Sequence, residues 1–194
     1  MPVDIVLVGP QGSGKGTQAK RISADYAVPH VATGDMLREA MAAGTPLGER
    51  VRPIYEAGQL VPDELMIELI RERLAQPDTE TGFILDGFPR TIGQAEALDE
   101  MLRQIGREPS IVFEFQIDNA LCIERMLGRA REEGRTDDTP EAIAERLRLY
   151  HEHTAPLVGH YRALGILVGI HAERPIGEVY AEIQDALEQV AARA

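Results

Sequence analysis

The sequence has little of several residue types on which common protein classes depend. It contains one cysteine, Cys122, among 194 residues, and no tryptophan. A single cysteine excludes an internal disulfide and any zinc site built from several cysteines. No apolar run approaches the ~18 residues that a membrane-spanning helix needs. The first residues, Met1 to Asp4, also lack the basic-then-apolar pattern of a signal peptide. We therefore expect a cytoplasmic protein with no zinc and no membrane contact.

Basic residues are also scarce, and lysine is nearly absent. The chain carries 20 Lys and Arg against 32 Asp and Glu, so its formal net charge is −12. This charge argues against nucleic-acid binding through a general basic surface. A local arginine cluster can still attract a small anion. All the basic residues except Lys15 and Lys20 are arginines, which makes a lysine inside a glycine-rich turn unusual here.

What the sequence does have is a regular alternation of short apolar runs and amphipathic segments. The apolar, β-branched runs predict buried parallel strands. They lie at 3–8, 31–32, 83–85, 111–117 and 165–170. Helices are predicted between them, with Thr33 as a candidate N-cap. A long helix is predicted to start at Pro140, and Pro156 should kink it. The last helix is predicted over 178–190. Strands that alternate with helices predict an α/β fold with a parallel sheet.

The clearest motif is a glycine-rich turn between the first strand and the first helix. Residues 9–17 read GPQGSGKGT. Glycines allow consecutive backbone N–H groups to point at a phosphate, and the helix N-terminus adds positive potential. Lys15 can reach the outer phosphates of a nucleotide. The strict pattern has Ser or Thr directly after the lysine, whereas here Gly16 precedes Thr17. We interpret the turn as a phosphate-binding loop; the alternative is a glycine-rich turn with no function.

A second motif, DGFPRT, follows the apolar run at 83–85. Open α/β sheets bind ligands at the edge where such strands end. Asp86 can hold Mg²⁺ there through water molecules, and Arg90 can bind a phosphate with two N–H groups. The amide of Gln94 can both accept from and donate to a nucleobase. The alternatives are a turn cap for Asp86 and a solvated helix face for Gln94.

Four arginines lie within or close to a short polar stretch at 132–138. Arg125 and Arg129 share one helix face because they are four residues apart. Arg135 lies in the polar stretch, and Arg146 lies in the following helix. Each arginine alone fits a solvated surface equally well. Together they predict a flap that folds over a polyphosphate.

Taken together, these motifs closely resemble those of the adenylate kinases, the nucleoside monophosphate kinases that interconvert ATP plus AMP with two ADP. The matching stretches follow the family's order and cover most of the chain. They are GPQGSGKGTQ (9–18), TGDMLR (33–38), GQLVPDEL (58–65), DGFPRTIGQ (86–94), ERMLGR (124–129), GRTDD (134–138) and ERLRLYHEHTAPL (145–157). The GKGT variant of the phosphate loop is the family's own, which explains Gly16.

The resemblance implies an architecture. A P-loop fold is expected, with a five-stranded parallel sheet and helices on both faces. The residues 1–194 would form one domain with an AMP-binding insertion at 33–62 and a short lid at 125–138. Only five residues separate Arg129 from Arg135, so the lid resembles the short form that cannot build a zinc site.

The resemblance also implies roles for individual residues. The ATP phosphates would be bound by Gly12, Ser13, Gly14, Lys15, Gly16, Thr17 and Arg129. The ATP adenine would pack on Arg125. AMP would be enclosed by Thr33, Arg38, Leu60, Val61, Gly87, Arg90 and Gln94. Arg135 and Arg146 would contact the transferring phosphates from the lid side, and Asp86 would orient hydrated Mg²⁺. Arg174 is assigned to the ATP site from a loop at 168–174 that departs from the family's usual Asp-Gly pattern.

The expected function is therefore reversible phosphoryl transfer from ATP to AMP by a monomer, with Mg²⁺ accompanying ATP. Such transfer depends on positioning and charge neutralisation, so no essential general base is expected. One alternative is a pyrimidine nucleoside monophosphate kinase of the same fold, which Thr33 and Gln94 disfavour. Another is an inactive nucleotide-binding switch, which has no need of arginines around a second phosphate site.

Overall fold

The computed structural model describes residues 3–192, and in that range five strands form one parallel sheet in the order β2-β3-β1-β4-β5. The strands are β1 (Val3–Val8), β2 (His30–Ala32), β3 (Gly82–Asp86), β4 (Ile111–Gln116) and β5 (Leu167–His171). Each lies within two residues of its predicted bounds. The predicted five-stranded parallel sheet is therefore confirmed.

The central strand β1 explains why the apolar runs are continuous. It pairs with β3 on one side and β4 on the other, with Val6 opposite both Leu85 and Val112. Side chains along β1 alternate between the two faces of the sheet. Val6 and Val8 pack into the core on one face, and Ile5 and Leu7 pack into the core on the other. Because both faces are covered, every position of the strand has to be apolar or paired.

Nine α-helices surround the sheet in the described part of the chain. They are α1 (Lys15–Tyr26), α2 (Thr33–Ala42), α3 (Pro46–Glu56), α4 (Asp63–Leu74), α5 (Ile92–Gln104), α6 (Asn119–Glu133), α7 (Pro140–Leu149), α8 (Leu157–Ala163) and α9 (Ile176–Ala191). Helices α1 and α9 cover one face of the sheet, and α2 to α5 with α8 belong to the core on the other. None of these helices is long and apolar enough to cross a membrane.

The two helices beside the predicted lid share a small core. Cys122 and Met126 of α6 pack against Ile143 and Leu147 of α7. The hydroxyl of Thr139 caps α7 by accepting from the N–H of Ala142 at 3.2 Å. The lone cysteine is thus a buried apolar contact between the two helices that flank the polar loop.

The long helix predicted to start at Pro140 departs from its prediction. Instead of a kink at Pro156, the chain makes a π-turn over Tyr150–Thr154, in which the N–H of Ala155 donates to the carbonyl of Tyr150 at 2.8 Å. Proline lacks an N–H, and its ring clashes with the carbonyl four residues earlier. The distortion is therefore absorbed in the turn that precedes the proline.

The N-cap prediction for Thr33 is wrong. Thr33 is the first residue of α2, and Ala32 precedes it without a side-chain cap. The Thr33 hydroxyl donates instead to the carbonyl of Asp86, at 3.2 Å, and so joins the start of α2 to the end of β3. A threonine next to a helix start has these two options, and sequence alone does not separate them.

Candidate active site

A cleft of about 500 Å³ opens at the carboxyl ends of β1 and β3. Its lining contains eight basic side chains from the described residues: Lys15, Lys20, Arg38, Arg90, Arg125, Arg129, Arg135 and Arg146. The acidic side chains there are Asp35, Asp86, Glu133 and Asp137. In a chain with a net charge of −12, this cleft has a local excess of positive charge. Such an excess favours an anionic ligand.

The glycine-rich loop leads from β1 into α1. Gly12 and Gly14 have φ values of +83° and +91°, a backbone conformation that residues with a side chain rarely adopt. A Cβ at Gly12 would lie 2.6 Å from the carbonyl oxygen of Cys122, so the loop packs directly on α6. The backbone conformation therefore requires glycine at these two positions.

The ammonium group of Lys15 is enclosed by this loop. Its Nζ donates to the carbonyl of Gly9 at 2.7 Å, to that of Pro10 at 2.8 Å and to the hydroxyl of Ser13 at 3.3 Å. Burial lowers the pKa of Lys15 to about 8, and Asp86 offsets only part of that effect. The lysine is thus a buried cation that loses its charge in mildly alkaline solution.

Asp86 ends β3 and faces the loop. Burial alone raises its pKa, but the hydrogen bond from His30 and the charge of Lys15 outweigh burial and hold the pKa below its usual range. The His30 Nε2 lies 3.3 Å from Asp86 Oδ2. Opposite, Gly16 leaves the space open, since a Cβ there would lie 3.5 Å from the same oxygen. Asp86 is therefore an ionised carboxylate at the mouth of the loop.

The surroundings of Asp86 suit a magnesium ion better than a tightly ligated metal. Within residues 3–192, no group of three or more His, Cys, Asp or Glu side chains could hold a metal ion. Mg²⁺ keeps several waters and needs only one or two carboxylates when nucleotide phosphates supply the remaining oxygens. One ionised carboxylate beside a phosphate loop fits that requirement.

Arg90 is held from three sides. Its backbone N–H donates to Gln94 Oε1 at 2.7 Å, its Nε donates to the carbonyl of Gly87 at 2.8 Å, and its own carbonyl accepts from the Thr154 hydroxyl at 2.9 Å. The last contact comes from the π-turn. The remaining guanidinium N–H groups of Arg90 are available to the cleft, because the Arg90 side chain forms part of its wall.

The wall formed by α2 and α3 carries Arg38, which donates to the Tyr55 hydroxyl and to Asp35. Gly87 faces this wall with a φ of +87°, and a Cβ there would collide with the Thr33 hydroxyl. This side of the cleft therefore combines arginine donors with a close backbone approach that only glycine permits.

Two arginines on the lid side share one carboxylate. Arg129 donates to Asp138 Oδ2 from Nε at 3.0 Å and from Nη2 at 2.7 Å. Arg146 donates to Asp138 Oδ1 at 2.6 Å and to Asp137 Oδ2 at 2.9 Å. The Asp138 side chain is fully buried. Arg146 also reaches the carbonyl of Tyr55 in α3 at 3.3 Å. The polar loop therefore holds both guanidinium groups side by side at the cleft.

Comparison with known proteins identifies the family of the chain. A family model described as adenylate kinase matches residues 7–166. The chain belongs to the adenylate kinase family. An adenylate kinase of Stenotrophomonas maltophilia (strain K279a) is 44% identical over 184 residues, covering 95% of this chain and 98% of its own. One from Archaeoglobus fulgidus is 40% identical over 215 aligned positions, covering 97% and 99%. The resemblance found in the sequence is confirmed.

The cleft brings together most of the site residues predicted for an adenylate kinase. Those that line it are Gly12, Gly14, Lys15, Gly16, Thr17, Arg38, Leu60, Asp86, Gly87, Arg90, Arg125, Arg129, Arg135 and Arg146. Arg135 donates to Glu133 at 2.6 Å. Arg125 donates to the carbonyl of Ala172 at 3.1 Å, which connects α6 to the chain after β5.

Five predicted residues lie outside the lining. Ser13, Thr33, Val61 and Gln94 are buried behind it. Arg174 lines a separate cavity beyond β4 and β5, where it donates to the carbonyl of His171 at 3.4 Å and pairs with Glu182.

Several lining residues were missed by reasoning from sequence. His30, Tyr55, Asp137 and Thr154 all face the cleft of this adenylate kinase family member. His30 lies only two residues before the carboxyl end of the short strand β2. The rule that ligands bind at the carboxyl edge of the sheet therefore pointed near it. Tyr55 carried no local signal, because its contacts with Arg146 join residues 91 positions apart.

Proposed function

We propose that the chain transfers a phosphoryl group between ATP and AMP to give two ADP, in the cleft at the carboxyl edge of its sheet. One observation supports this most: the cleft carries two separate sets of cations. Lys15 lies in the glycine-rich loop after β1, whereas Arg38 lies in α2 and Arg90 follows β3. A single polyphosphate would not require the second set. Two anionic substrates would, because each phosphate group needs its own partners.

The phosphate loop and its lysine are the proposed ATP site. Residues 12–17 would surround the β- and γ-phosphates with N–H groups, and the start of α1 would add positive potential. Arg129 would bind the same phosphates from the lid side. Arg125 and Arg174 would contact the adenine. Their carbonyl partners are Ala172, directly after β5, and His171, the last residue of β5.

Mg²⁺ is the proposed cofactor and no zinc is expected. When bound with ATP, the ion neutralises charge on the phosphates. Asp86 would orient it through water molecules, since its carboxylate is ionised and faces the loop. The loop glycine at Gly16 leaves the intervening space free of side chains.

The opposite side is the proposed AMP site. Arg38 and Arg90 would bind the AMP phosphate. The walls would come from Thr33, Leu60, Val61 and Gly87. Gln94 would read the base from the N-terminal turn of α5. Residues 33–62 would form the AMP-binding insertion within one domain that spans 1–194.

Transfer itself would depend on charge and on the exclusion of water. Arg129, Arg135 and Arg146 would neutralise the charge that spreads over the transferring group, which is where such sites gain most of their rate. Asp137 and Asp138 hold two of these arginines, so their geometry exists before the substrates arrive. The lid at 125–138 would close to keep water from taking the phosphate. We further propose that the protein is a cytoplasmic monomer.

A single mixture tests the reaction. Purified protein is incubated with ADP and Mg²⁺ alone, and ATP and AMP are separated and quantified. Equal amounts of both products are expected, with no formation when EDTA replaces Mg²⁺. Folded protein that yields neither product would contradict the proposal. Faster phosphorylation of CMP or UMP than of AMP would favour the pyrimidine kinase instead.

A further inference from the structure

We propose that Asp63 is a positioning residue that sets base specificity, because it holds the side-chain amide of Gln94 in one of its two orientations. Neither side chain lines the cleft. Asp63 binds the Gln94 amide directly, so its effect on the base would pass through Gln94. The inference rests on the proposed function, in which Gln94 reads the base of the nucleoside monophosphate.

The orientation of the Gln94 amide follows from its two partners. Its Nε2 donates to Asp63 Oδ1 at 2.7 Å, and its Oε1 accepts from the backbone N–H of Arg90 at 2.7 Å. A carboxylate can only accept and a backbone N–H can only donate. If the amide turned by 180°, oxygen would face oxygen and N–H would face N–H, and both hydrogen bonds would be lost.

Asp63 is itself held firmly. It is the first residue of α4, and its second oxygen, Oδ2, accepts from the Thr91 hydroxyl at 2.8 Å. The same hydroxyl caps α5 by accepting from the backbone N–H of Gln94 at 3.2 Å. Gln94 is only 2% exposed, so water does not replace a lost bond. The carboxylate therefore fixes the amide with a hydrogen bond strengthened by its charge.

This orientation has a chemical consequence for the base. After its two internal bonds, the amide keeps one free N–H and one free oxygen lone pair. The edge of adenine presents a ring nitrogen that accepts beside an amino group that donates. A 6-oxopurine, as in IMP or GMP, presents the reverse pair. One amide orientation matches the aminopurine and the other matches the oxopurine. By excluding one orientation, Asp63 would discriminate AMP from IMP.

The test is Asp63→Asn, a substitution of nearly the same shape. An asparagine amide can donate or accept, so position 63 would tolerate either orientation of Gln94. The ratio of kcat/KM for AMP to that for IMP is expected to fall about tenfold or more, the value of one charge-assisted hydrogen bond. The change should appear mainly in KM for the monophosphate, with KM for MgATP unchanged. Glu64→Gln removes the same charge from the neighbouring exposed side chain and should leave the ratio unchanged.

A second variant separates positioning from general loosening. Thr91→Val removes the other partner of Asp63 and the cap of α5, so it should lower Tm while the AMP-to-IMP ratio stays as in the wild type. If Asp63→Asn does not fold, Asp63→Ala replaces it with the same expected direction. An unchanged ratio in the Asp63 variant, or an equal fall in Thr91→Val, would overturn the proposal.

Gln94→Ala distinguishes this proposal from the function on which it rests. The variant should lose the preference for AMP over IMP, and Asp63→Asn in that background should add no further change. If Gln94→Ala keeps the preference, Asp63 does not act through Gln94 and the proposal is overturned. The formation of ATP and AMP from ADP by the wild type would stand in that case. Absence of that reaction would instead remove the proposed function itself.

Discussion

Buried arginine–carboxylate contacts occur at both edges of the sheet, and the two differ in what surrounds them. At the amino edge, Asp4 in β1 pairs with Arg107, which follows α5. At the carboxyl edge, Asp138 is shared by Arg129 and Arg146. The chemical groups are the same at both edges. Only the second cluster borders a cleft that can admit a ligand.

The contact at the amino edge is complete within the protein. Arg107 Nε donates to Asp4 Oδ2 at 2.9 Å, and its Nη1 donates to the carbonyl of Thr79 at 3.0 Å. The guanidinium lies over the ring of Phe83, 5.3 Å from its centroid. Burial raises the pKa of Asp4, and the hydrogen bond and charge of Arg107 offset only part of this effect. The pair therefore joins segments of the chain and has little net favourable charge energy of its own.

The cluster at the carboxyl edge is open on one side. Its carboxylates hold two guanidinium groups against the cleft, and each arginine has further N–H groups to offer. A phosphate is a stronger partner for arginine than a carboxylate, because it carries more charge and three acceptor oxygens. Burial and pairing therefore do not distinguish a structural arginine from one that is proposed to bind substrate. The presence of a cleft beside the pair does.

The largest expected effect is the loss of activity in Arg146→Met. We expect kcat to fall by about 10³-fold, or ~4 kcal/mol of transition-state stabilisation. Asp138 keeps Arg129 as a partner, so the variant should still fold. Steady-state kinetics and thermal unfolding would be measured together. Arg148→Met is the matched control, since its side chain is 56% exposed and pairs only with Glu145 and Glu152 on the surface. If the kcat of Arg146→Met stays within tenfold of the wild-type value, the arginine cluster at the carboxyl edge does not depend on Arg146 for catalysis.

Arg107→Met is expected to lower stability and to leave turnover unchanged. Removing this partner leaves the Asp4 carboxylate buried and unpaired, which should lower the free energy of unfolding by ~3–5 kcal/mol. Turnover by the folded fraction should match the wild type, because this edge is remote from the cleft. Urea unfolding and kcat at low temperature would show both. Arg103→Met, with a side chain that is 69% exposed, should change neither quantity. A fall in kcat as large as that of Arg146→Met would mean that the amino edge also serves catalysis.

A smaller effect is expected from pH. Lys15 has a pKa of about 8 in the ligand-free protein, below its ordinary 10.5 because it is buried. The protonated form binds phosphate, so kcat/KM for MgATP should decline as pH rises through about 8, by up to tenfold per unit. Lys15→Ala should have far lower turnover and no such decline. A wild-type profile that stays level up to pH 9.5 would show that Lys15 keeps its proton.

The smallest effect is a change in dynamics at one edge only. A ligand that spans both nucleotide sites should slow amide hydrogen exchange roughly tenfold in residues 129–146, because the arginines gain partners there. Exchange at Asp4 and at 107–110 should be unchanged beyond any shift in global stability. Mass spectrometry of peptides with and without the ligand would measure this. Equal protection at both edges would indicate that the ligand stabilises the whole molecule rather than the cleft.

Much of the fold was predictable because its strands are buried on both faces. Runs such as VDIVLV at 3–8 need no knowledge of their neighbours to indicate a strand. The glycine-rich loop was equally clear, since its glycines fall close together, within 9–16. The arginines that are proposed to act in catalysis were predicted from their clustering and from the family resemblance.

The rest depends on partners that are distant in sequence. Thr33 looked like a helix cap, but its acceptor is Asp86, 53 residues later. Gln94 was expected to face a base, and its contact with Asp63, 31 residues earlier, lies outside any local pattern. The π-turn before Pro156 arises from steric conflict whose location a helical periodicity does not reveal.

Because lysine is scarce, a reagent that reacts with amines would act on the protein mainly at the cleft. Both lysines, Lys15 and Lys20, line it. An amine-directed acylating reagent therefore has no competing side chains elsewhere on the protein, apart from the terminal amine. With its pKa of about 8, Lys15 is also partly in the nucleophilic, uncharged form at neutral pH. Covalent labelling by such a reagent would count the clefts that hold no ligand, because a bound phosphate would shield Lys15, and a lysine-rich surface would obscure that count.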